Sequence, residues 1–306
     1  MKKVLVTGGS GFIGRHCLPV LVANGYEVHA VSIAPEDPLP QIHWHVVDLL
    51  NPGEVNELIA KVKPTHLLHL SWYTVMGKYW TSLENIRWVQ ASLELLRVFA
   101  ANGGKRVVMA GTCAEYDWKY ELYSEQTTPL VPATLYGACK HALHIMVDAF
   151  CKQTGLSYAW GRIFFLYGPH EHPDRLVSSV ICSLLKGEPA RCSHGNQMRD
   201  FLHVEDVAYA FVMLLDSDME GAVNIGRGTP TAIREVIEII GDQLHGKHLI
   251  QLGALPAPPN DPPALIADAH RLKSIGWLPK YDLKTGLEHT IAWWKTNLIT
   301  VKRSQK

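Results

Sequence analysis

The chain has 306 residues, a length that suggests about two domains and an ample core, and its 29 basic and 29 acidic side chains cancel to a formal net charge of zero. A balanced surface argues against nucleic acid and against an anionic membrane as partners, and no stretch approaches the ~18 apolar residues of a membrane span. The six cysteines (17, 113, 139, 151, 182, 192) show no CxxC or paired spacing, which reads as the reduced thiols of a cytoplasmic protein.

Val4-Leu5-Val6 is a short apolar run that ends in Thr7-Gly8-Gly9-Ser10-Gly11-Phe12-Ile13-Gly14, and an amphipathic segment follows over 15–23. Strand, glycine turn and helix in that order form a dinucleotide-binding unit. Gly8 serves the tight turn, Gly11 close approach to a pyrophosphate, and Gly14 close packing of helix on strand. The N-terminus of the helix adds free N–H groups and positive dipole. Although Met1-Lys2-Lys3 precedes apolar residues, the apolar run is too short for a signal peptide.

Further strands are predicted over 28–33, 43–47, 66–70, 105–110 and 157–164, with helices near 52–62, 83–102 and 134–154 between them. Alternating apolar strands and helices imply an α/β fold with a parallel, doubly wound sheet. After about Tyr167 the loops become rich in proline and glycine. A dinucleotide-binding domain over 1–166 is therefore expected, with a smaller lobe over 167–306 and parts of 198–225 returning to the first domain. Five prolines within 256–263 suggest an ordered loop over a cleft.

Tyr136 and Lys140 stand one helical turn apart on one face. An ammonium near a phenol favours phenolate, which would lower the Tyr136 pKa from ~10 and make it a proton donor or acceptor near neutral pH. The fifth strand leads into Gly111-Thr112, placing the Thr112 hydroxyl where ligands of such sheets bind. Sixteen histidines raise the question of a metal. The pairs His43/His45, His141/His144 and His170/His172 come without a carboxylate or cysteine set at zinc spacing, so no metal is expected.

Together these segments resemble the extended short-chain dehydrogenase/reductase family of nucleotide-sugar epimerases, dehydratases and ketoreductases, over nearly the whole length. The glycine motif at 7–14 fits, as do Asp48-Leu49, His69-Leu70-Ser71 and Tyr136-Gly137-Ala138-Cys139-Lys140. Arg162 to Pro169 resembles R-x-x-N-x-Y-G-P, with Phe165 in place of asparagine. Pro173 to Leu176, Gln197 to Val207 and Leu272 to Pro279 resemble three later family segments. The likeness implies a catalytic set of Thr112, Tyr136 and Lys140. It implies cofactor contacts at Gly8, Gly11, Phe12, Ile13, Gly14, Arg15, Ser32, Asp48, Leu49, Leu70, Ser71, Tyr136 and Lys140. Arg175, Leu176 and Arg199 would bind a nucleotide-diphosphate sugar, Arg199 by clamping the diphosphate.

Departures from the family pattern narrow the activity. Dehydratases carry two acids after the threonine, where this chain has Cys113 and Ala114, and the GDP-fucose epimerase-reductases need a cysteine where Ala114 stands. Ser32 replaces the ribose-binding aspartate of NAD-specific members, which admits a 2′-phosphate, with Arg15 or His16 as its partner. NADP(H) is therefore preferred and NAD(H) is the alternative. The expected activity is reduction of a nucleotide-linked 4-keto-6-deoxy sugar, against an NAD-dependent 4-epimerase or, remotely, a non-catalytic dinucleotide sensor. A homodimer through helices 83–102 and 134–154 is also expected, with Leu93 and Leu143 on the shared face.

Overall fold

The computed structural model describes residues 2–36, 39–257 and 261–301. Asp37 and part of the proline-rich loop (258–260) lie outside the described residues. Strands β1 (Lys3–Thr7), β2 (Glu27–Ser32), β3 (Ile42–Val46), β4 (His66–His69) and β5 (Arg106–Thr112) form a seven-stranded sheet with Ser157–Ile163 and Gly221–Ile225. Every pairing in that sheet is parallel, and the order across it runs from Gly221–Ile225 through Ser157–Ile163, β5, β4, β1 and β2 to β3 at the far edge. The predicted second strand stops one residue early, at Ser32, because Ile33 is 84% exposed.

Helices α1 (Gly14–Ala23), α2 (Pro52–Val62), α3 (Glu84–Ala101) and α4 (Leu135–Thr154) provide the crossovers. Local chemistry fixes their ends. Asn51 caps α2 by accepting from the Gly53 N–H, and Pro52 takes the first turn, where no N–H is needed. Thr134 caps α4 by accepting from the Gly137 N–H, and Gly155 at φ 72° closes it. α2, α3 and α4 bury Leu58, Leu96, Phe99, Leu143 and Val147 on one face of the sheet. α1 and α6 (Val204–Asp216) bury Leu18, Leu21, Phe211 and Leu214 on the other.

The later chain forms α5 (Leu176–Leu185), α7 (Ile233–Gln243), α8 (His270–Ser274) and α9 (Leu283–Val301). α5, α7 and α9 pack around Ile181, Ile237, Leu287 and Trp294 as a separate apolar cluster. The last strand of the large sheet and α6 both come from the stretch beyond residue 198.

One buried ion pair joins β5 to its neighbour. Glu115 is fully buried and its carboxylate accepts from Arg162 Nε (2.9 Å), Trp160 Nε1 (2.9 Å) and the Thr112 N–H (2.9 Å). Removing one partner of such a pair strands a charge in the core, at a cost of about 3–5 kcal/mol. Arg162→Met should therefore lose that much stability in urea denaturation, and adding Glu115→Gln should recover part of it. Equal midpoints for wild type and Arg162→Met would show that the pair contributes nothing.

Candidate active site

The glycine loop follows from how closely α1 approaches β1. Gly8 holds φ 70°, and the Gly11 N–H donates to its carbonyl at 3.0 Å. A Cβ on Gly14 would stand 2.0 Å from the Gly8 oxygen, and one on Gly8 would lie 3.0 Å from the Ser71 nitrogen. Only bare backbone fits, and the resulting cradle at the start of α1 suits a pyrophosphate. Phe12 and Ile13 lead into the helix. The Thr7 hydroxyl pins β4 alongside, through the Leu70 and Ser71 N–H groups (3.2 and 3.3 Å) and His69 Nδ1 (2.7 Å).

Arg15 folds over this loop, donating to the Ser10 carbonyl and meeting His170 Nδ1 at 2.8 Å. Ser32 is buried at the end of β2, where its hydroxyl contacts Glu36 Oε1 at 3.0 Å. Ser32 stands in place of an aspartate in the sequence, but the chain after β2 brings the Glu36 carboxylate back to this spot. Past β3, the Asp48 N–H donates to Glu54 and its carboxylate accepts from the Leu50 N–H, while Leu49 is buried. The dinucleotide implied by the loop would thus find groups for its phosphates, ribose and base at the ends of β1, β2 and β3.

Tyr136 lies in the first turn of α4, which the Thr134 cap anchors beside Thr112 at the end of β5. The structure sets the Thr112 hydroxyl against the Tyr136 phenol, with Lys140 one turn further along α4. The electrostatics differ from the expected lowering of the phenol. Burial pushes the Tyr136 pKa well above its ordinary value, and the Thr112 hydroxyl only partly offsets this. Lys140 turns away, donating to the Ala110 carbonyl at 2.8 Å and resting 3.7 Å from the centre of the Trp72 ring. Burial brings the Lys140 pKa down to about 7, with Glu115 pulling the other way.

The stretch between β4 and α3 supplies groups that the sequence did not single out. Tyr79 and Trp80 pack edge-on against Tyr136, with ring centres 5.1 and 5.6 Å away, and Trp118 meets Trp80 at 6.1 Å. Arg175, the residue before α5, lies 5.6 Å from the Tyr79 ring centre, and Leu176 begins that helix. Arg199 is almost fully buried, 5.2 Å from the Phe165 ring, and its Nη2 pairs with Asp261 at 2.6 Å. Aromatic residues in an unstructured stretch give no periodic signal, and the partner of Arg199 lies 62 residues away.

The chain matches the sequence model of the NAD dependent epimerase/dehydratase family over residues 4–226. It is 28% identical to a putative UDP-glucose 4-epimerase of Methanocaldococcus jannaschii, covering 96% of this chain and 99% of that protein. It is 27% identical to UDP-glucuronic acid decarboxylase 1 of Danio rerio, over 97% of this chain and 73% of the relative. Among solved structures, it resembles a Thermus thermophilus UDP-glucose 4-epimerase complexed with NAD, at 26% identity and TM-score 0.82, over 96% and 99% of the two chains. MoeE5 in complex with UDP-glucuronic acid and NAD superposes with TM-score 0.85 at 28% identity, over 96% and 99% of the chains.

The low Lys140 pKa has a consequence for stability. Between about pH 7 and its ordinary value of 10.5, the folded chain holds this lysine neutral while the unfolded chain holds it charged. The unfolded state then binds more protons, so stability should rise with pH across that window by at most ~1.4 kcal/mol per unit. In the cofactor-free protein, urea midpoints should therefore climb more steeply for wild type than for Lys140→Met. Parallel pH profiles for the two would refute the shift.

Proposed function

Because the chain belongs to the NAD dependent epimerase/dehydratase family, we propose that it is an NADP(H)-dependent reductase of a nucleotide-linked 4-keto-6-deoxy sugar. The reading rests on Tyr136, whose phenol meets the Thr112 hydroxyl and keeps its proton in buried, aromatic surroundings, so that a forming alkoxide, the stronger base, can take it. Cys113 and Ala114 supply no acid–base pair for loss of water. The rings of Tyr79 and Trp80 pack edge-on against the phenol. The dinucleotide, when bound, supplies hydride to carbon 4.

Tyr136 protonates the alkoxide that forms, and the Thr112 hydroxyl bonds the same oxygen. Lys140 exchanges the Ala110 carbonyl for the nicotinamide ribose and lends its charge to Tyr136. Gly8, Gly11, Phe12, Ile13, Gly14 and Arg15 hold the pyrophosphate, Ser32 the adenine-side ribose, Asp48 and Leu49 the base, and Leu70 and Ser71 the nicotinamide end. Arg175, Leu176 and Arg199 bind the substrate's diphosphate on the 167–306 lobe. No helix among the described residues is long and apolar enough to cross a membrane, and all six cysteines are buried free thiols. These support a cytoplasmic enzyme.

A second reading, an NAD-retaining 4-epimerase, is favoured by the Glu36 carboxylate on Ser32 and by the relatives named as UDP-glucose 4-epimerases. A carboxylate at the end of β2 suits a ribose 2′-hydroxyl and repels a 2′-phosphate. One assay separates the two: loss of nicotinamide absorbance with dTDP-, CDP-, GDP- and UDP-linked 4-keto-6-deoxy sugars. The reductase consumes NADPH in proportion to product, whereas the epimerase interconverts UDP-hexoses with no net consumption and carries NAD through purification. Tyr136→Phe should fold and bind cofactor yet lose at least ~100-fold in turnover. Wild-type rates for that variant would remove the phenol from the chemistry.

We further propose a homodimer through α3 and α4. Ile86 and Met146 project from these helices and are 46% and 52% exposed. Leu143 does not belong to such a face: it is almost fully buried against the parent sheet, so Leu143→Glu would unfold the protomer before it split a dimer. Light scattering should give twice the mass of one chain, and Ile86→Asp with Met146→Asp should halve it. A single-chain mass for the unmodified protein would dismiss the pairing.

A further inference from the structure

At the far edge of the large sheet, the register between β2 and β3 sets His29 directly opposite His43, and Val31 opposite His45. The three imidazoles share one face. The His29 and His43 rings stack with centres 4.8 Å apart, and those of His29 and His45 with centres 5.1 Å apart. Two residues before His29 on β2, Glu27 completes the group, since alternate strand residues point the same way. One ligand atom each from Glu27, His29 and His43 lies within 4.8 Å of the others. His29 is buried, Glu27 is half-buried and His43 is exposed, so the group opens to solvent on one side.

From this constellation we infer a zinc-class divalent cation site held by Glu27, His29 and His43, with His45 positioning His29 from behind. Two imidazoles and one carboxylate form a zinc donor set that leaves a fourth, tetrahedral position for water. Ligand atoms around zinc stand about 3.3 Å apart, as follows from bonds of ~2.0–2.1 Å, so modest side-chain rotation closes the set.

The hydrogen bonds already present match the second shell that such sites use. Without metal, His29 Nε2 donates to Glu27 Oε1 at 2.9 Å, which leaves His29 Nδ1 to accept from His45 Nε2 at 2.8 Å. When a cation takes Nε2, the proton moves to Nδ1 and the bond to His45 reverses, His45 becoming the acceptor through its other tautomer. A metal-bound imidazole donating from its second nitrogen to a fixed neighbour is the arrangement that orients histidine ligands. Lys3, 3.0 Å from Glu27 Oε1, is the one competitor in contact with the carboxylate, through a partly exposed pair of the weak kind.

Two other groupings of histidine and acid among the described residues lack this freedom. Beside His141 and His144, the Glu115 oxygens are taken by Arg162, Trp160 and the Thr112 N–H. Beside Glu205 and His289, His203 Nδ1 accepts from the Glu205 N–H, a backbone donor that cannot become an acceptor, so the proton is held on Nε2 and cannot move away to free it for a cation. At the β2–β3 edge the corresponding bond runs to His45, an imidazole that can turn from donor to acceptor, and the group has an open side at the exposed His43.

Equilibrium dialysis of the full chain against Zn²⁺, with thermal unfolding in parallel, tests the site. We expect one equivalent bound per chain and a raised unfolding temperature, since binding to the folded state alone stabilises it. His43→Gln removes an exposed ligand without touching the core, and should weaken zinc binding at least ~10-fold, with His45→Phe weakening it within the ~10–100-fold span of second-shell changes. His289→Gln should leave binding intact. Absence of bound zinc in the wild type, or equal affinity in His43→Gln, overturns the site. Loss of binding in His289→Gln instead would move it to the α6–α9 grouping and equally overturn the assignment. None of these readouts requires turnover, so they stand apart from the proposed activity.

Discussion

The ion pair of Glu115 with Arg162 is the constraint on which the arrangement of the site depends. Glu115 follows Thr112 by three residues, and its carboxylate closes back onto the Thr112 N–H, ending β5 in a capped turn. The same carboxylate engages Trp160 and Arg162 on the neighbouring strand, so the tip of β5 is fixed sideways as well as along the chain. A Cβ on Gly111 would stand 2.1 Å from Trp160 Nε1, which is why the strand carries a glycine there. Arg162 also donates to the Tyr116 hydroxyl, which donates in turn to Asn224, and Asn224 reaches the Tyr123 and Asp268 carbonyls. One buried chain of bonds therefore runs from the Thr112 turn to Asp268, just before α8. A charge buried at this depth is tolerated because every oxygen is occupied.

The resting electrostatics of Tyr136 and Lys140 oppose the usual shorthand of a lysine lowering the pKa of a tyrosine. Both are desolvated, which penalises the phenolate and the ammonium alike. Lys140 relieves part of its penalty on the Ala110 carbonyl and the Trp72 face rather than on the phenol. The pair is thus poised in its neutral-leaning state, a proton on oxygen and a lightly held proton on nitrogen.

The strand–helix alternation, the glycine loop and the Tyr136/Lys140 spacing are local features, and local features are legible in sequence. The sheet order and the seventh strand at 221–225 are not, because parallel pairing joins segments far apart in the chain. Distance along the chain likewise hid Asp261, which acts on a residue 62 positions earlier, whereas Glu36 reaches Ser32 across a turn of four residues. Glu27 and His29 sit two apart on β2, but their relation to His43 depends on a register that no spacing rule encodes. Tyr79 and Trp80 were missed because an aperiodic stretch carries no period to read. Leu143 was misplaced because an apolar helix residue reads the same whether it faces its own sheet or a partner; the exposed Met146, three residues on, shows the helix turning between the two.

Arg199 shows how far this logic reaches. Its guanidinium is almost fully buried, yet it is held by Asp261 from the proline-rich stretch, whose other oxygen accepts from Gln197 Nε2 at 2.9 Å. A planar cation that binds one oxyanion is shaped to bind another. In the proposed role of Arg199, the substrate's diphosphate exchanges with a carboxylate already in place, so the charge of Arg199 is compensated at every stage. Arg199 without Asp261 would be an unpaired cation in a desolvated setting, and the cost of holding it there would fall on the fold. With Asp261, that cost is deferred to the moment of binding, when a diphosphate of greater charge can displace the weaker anion.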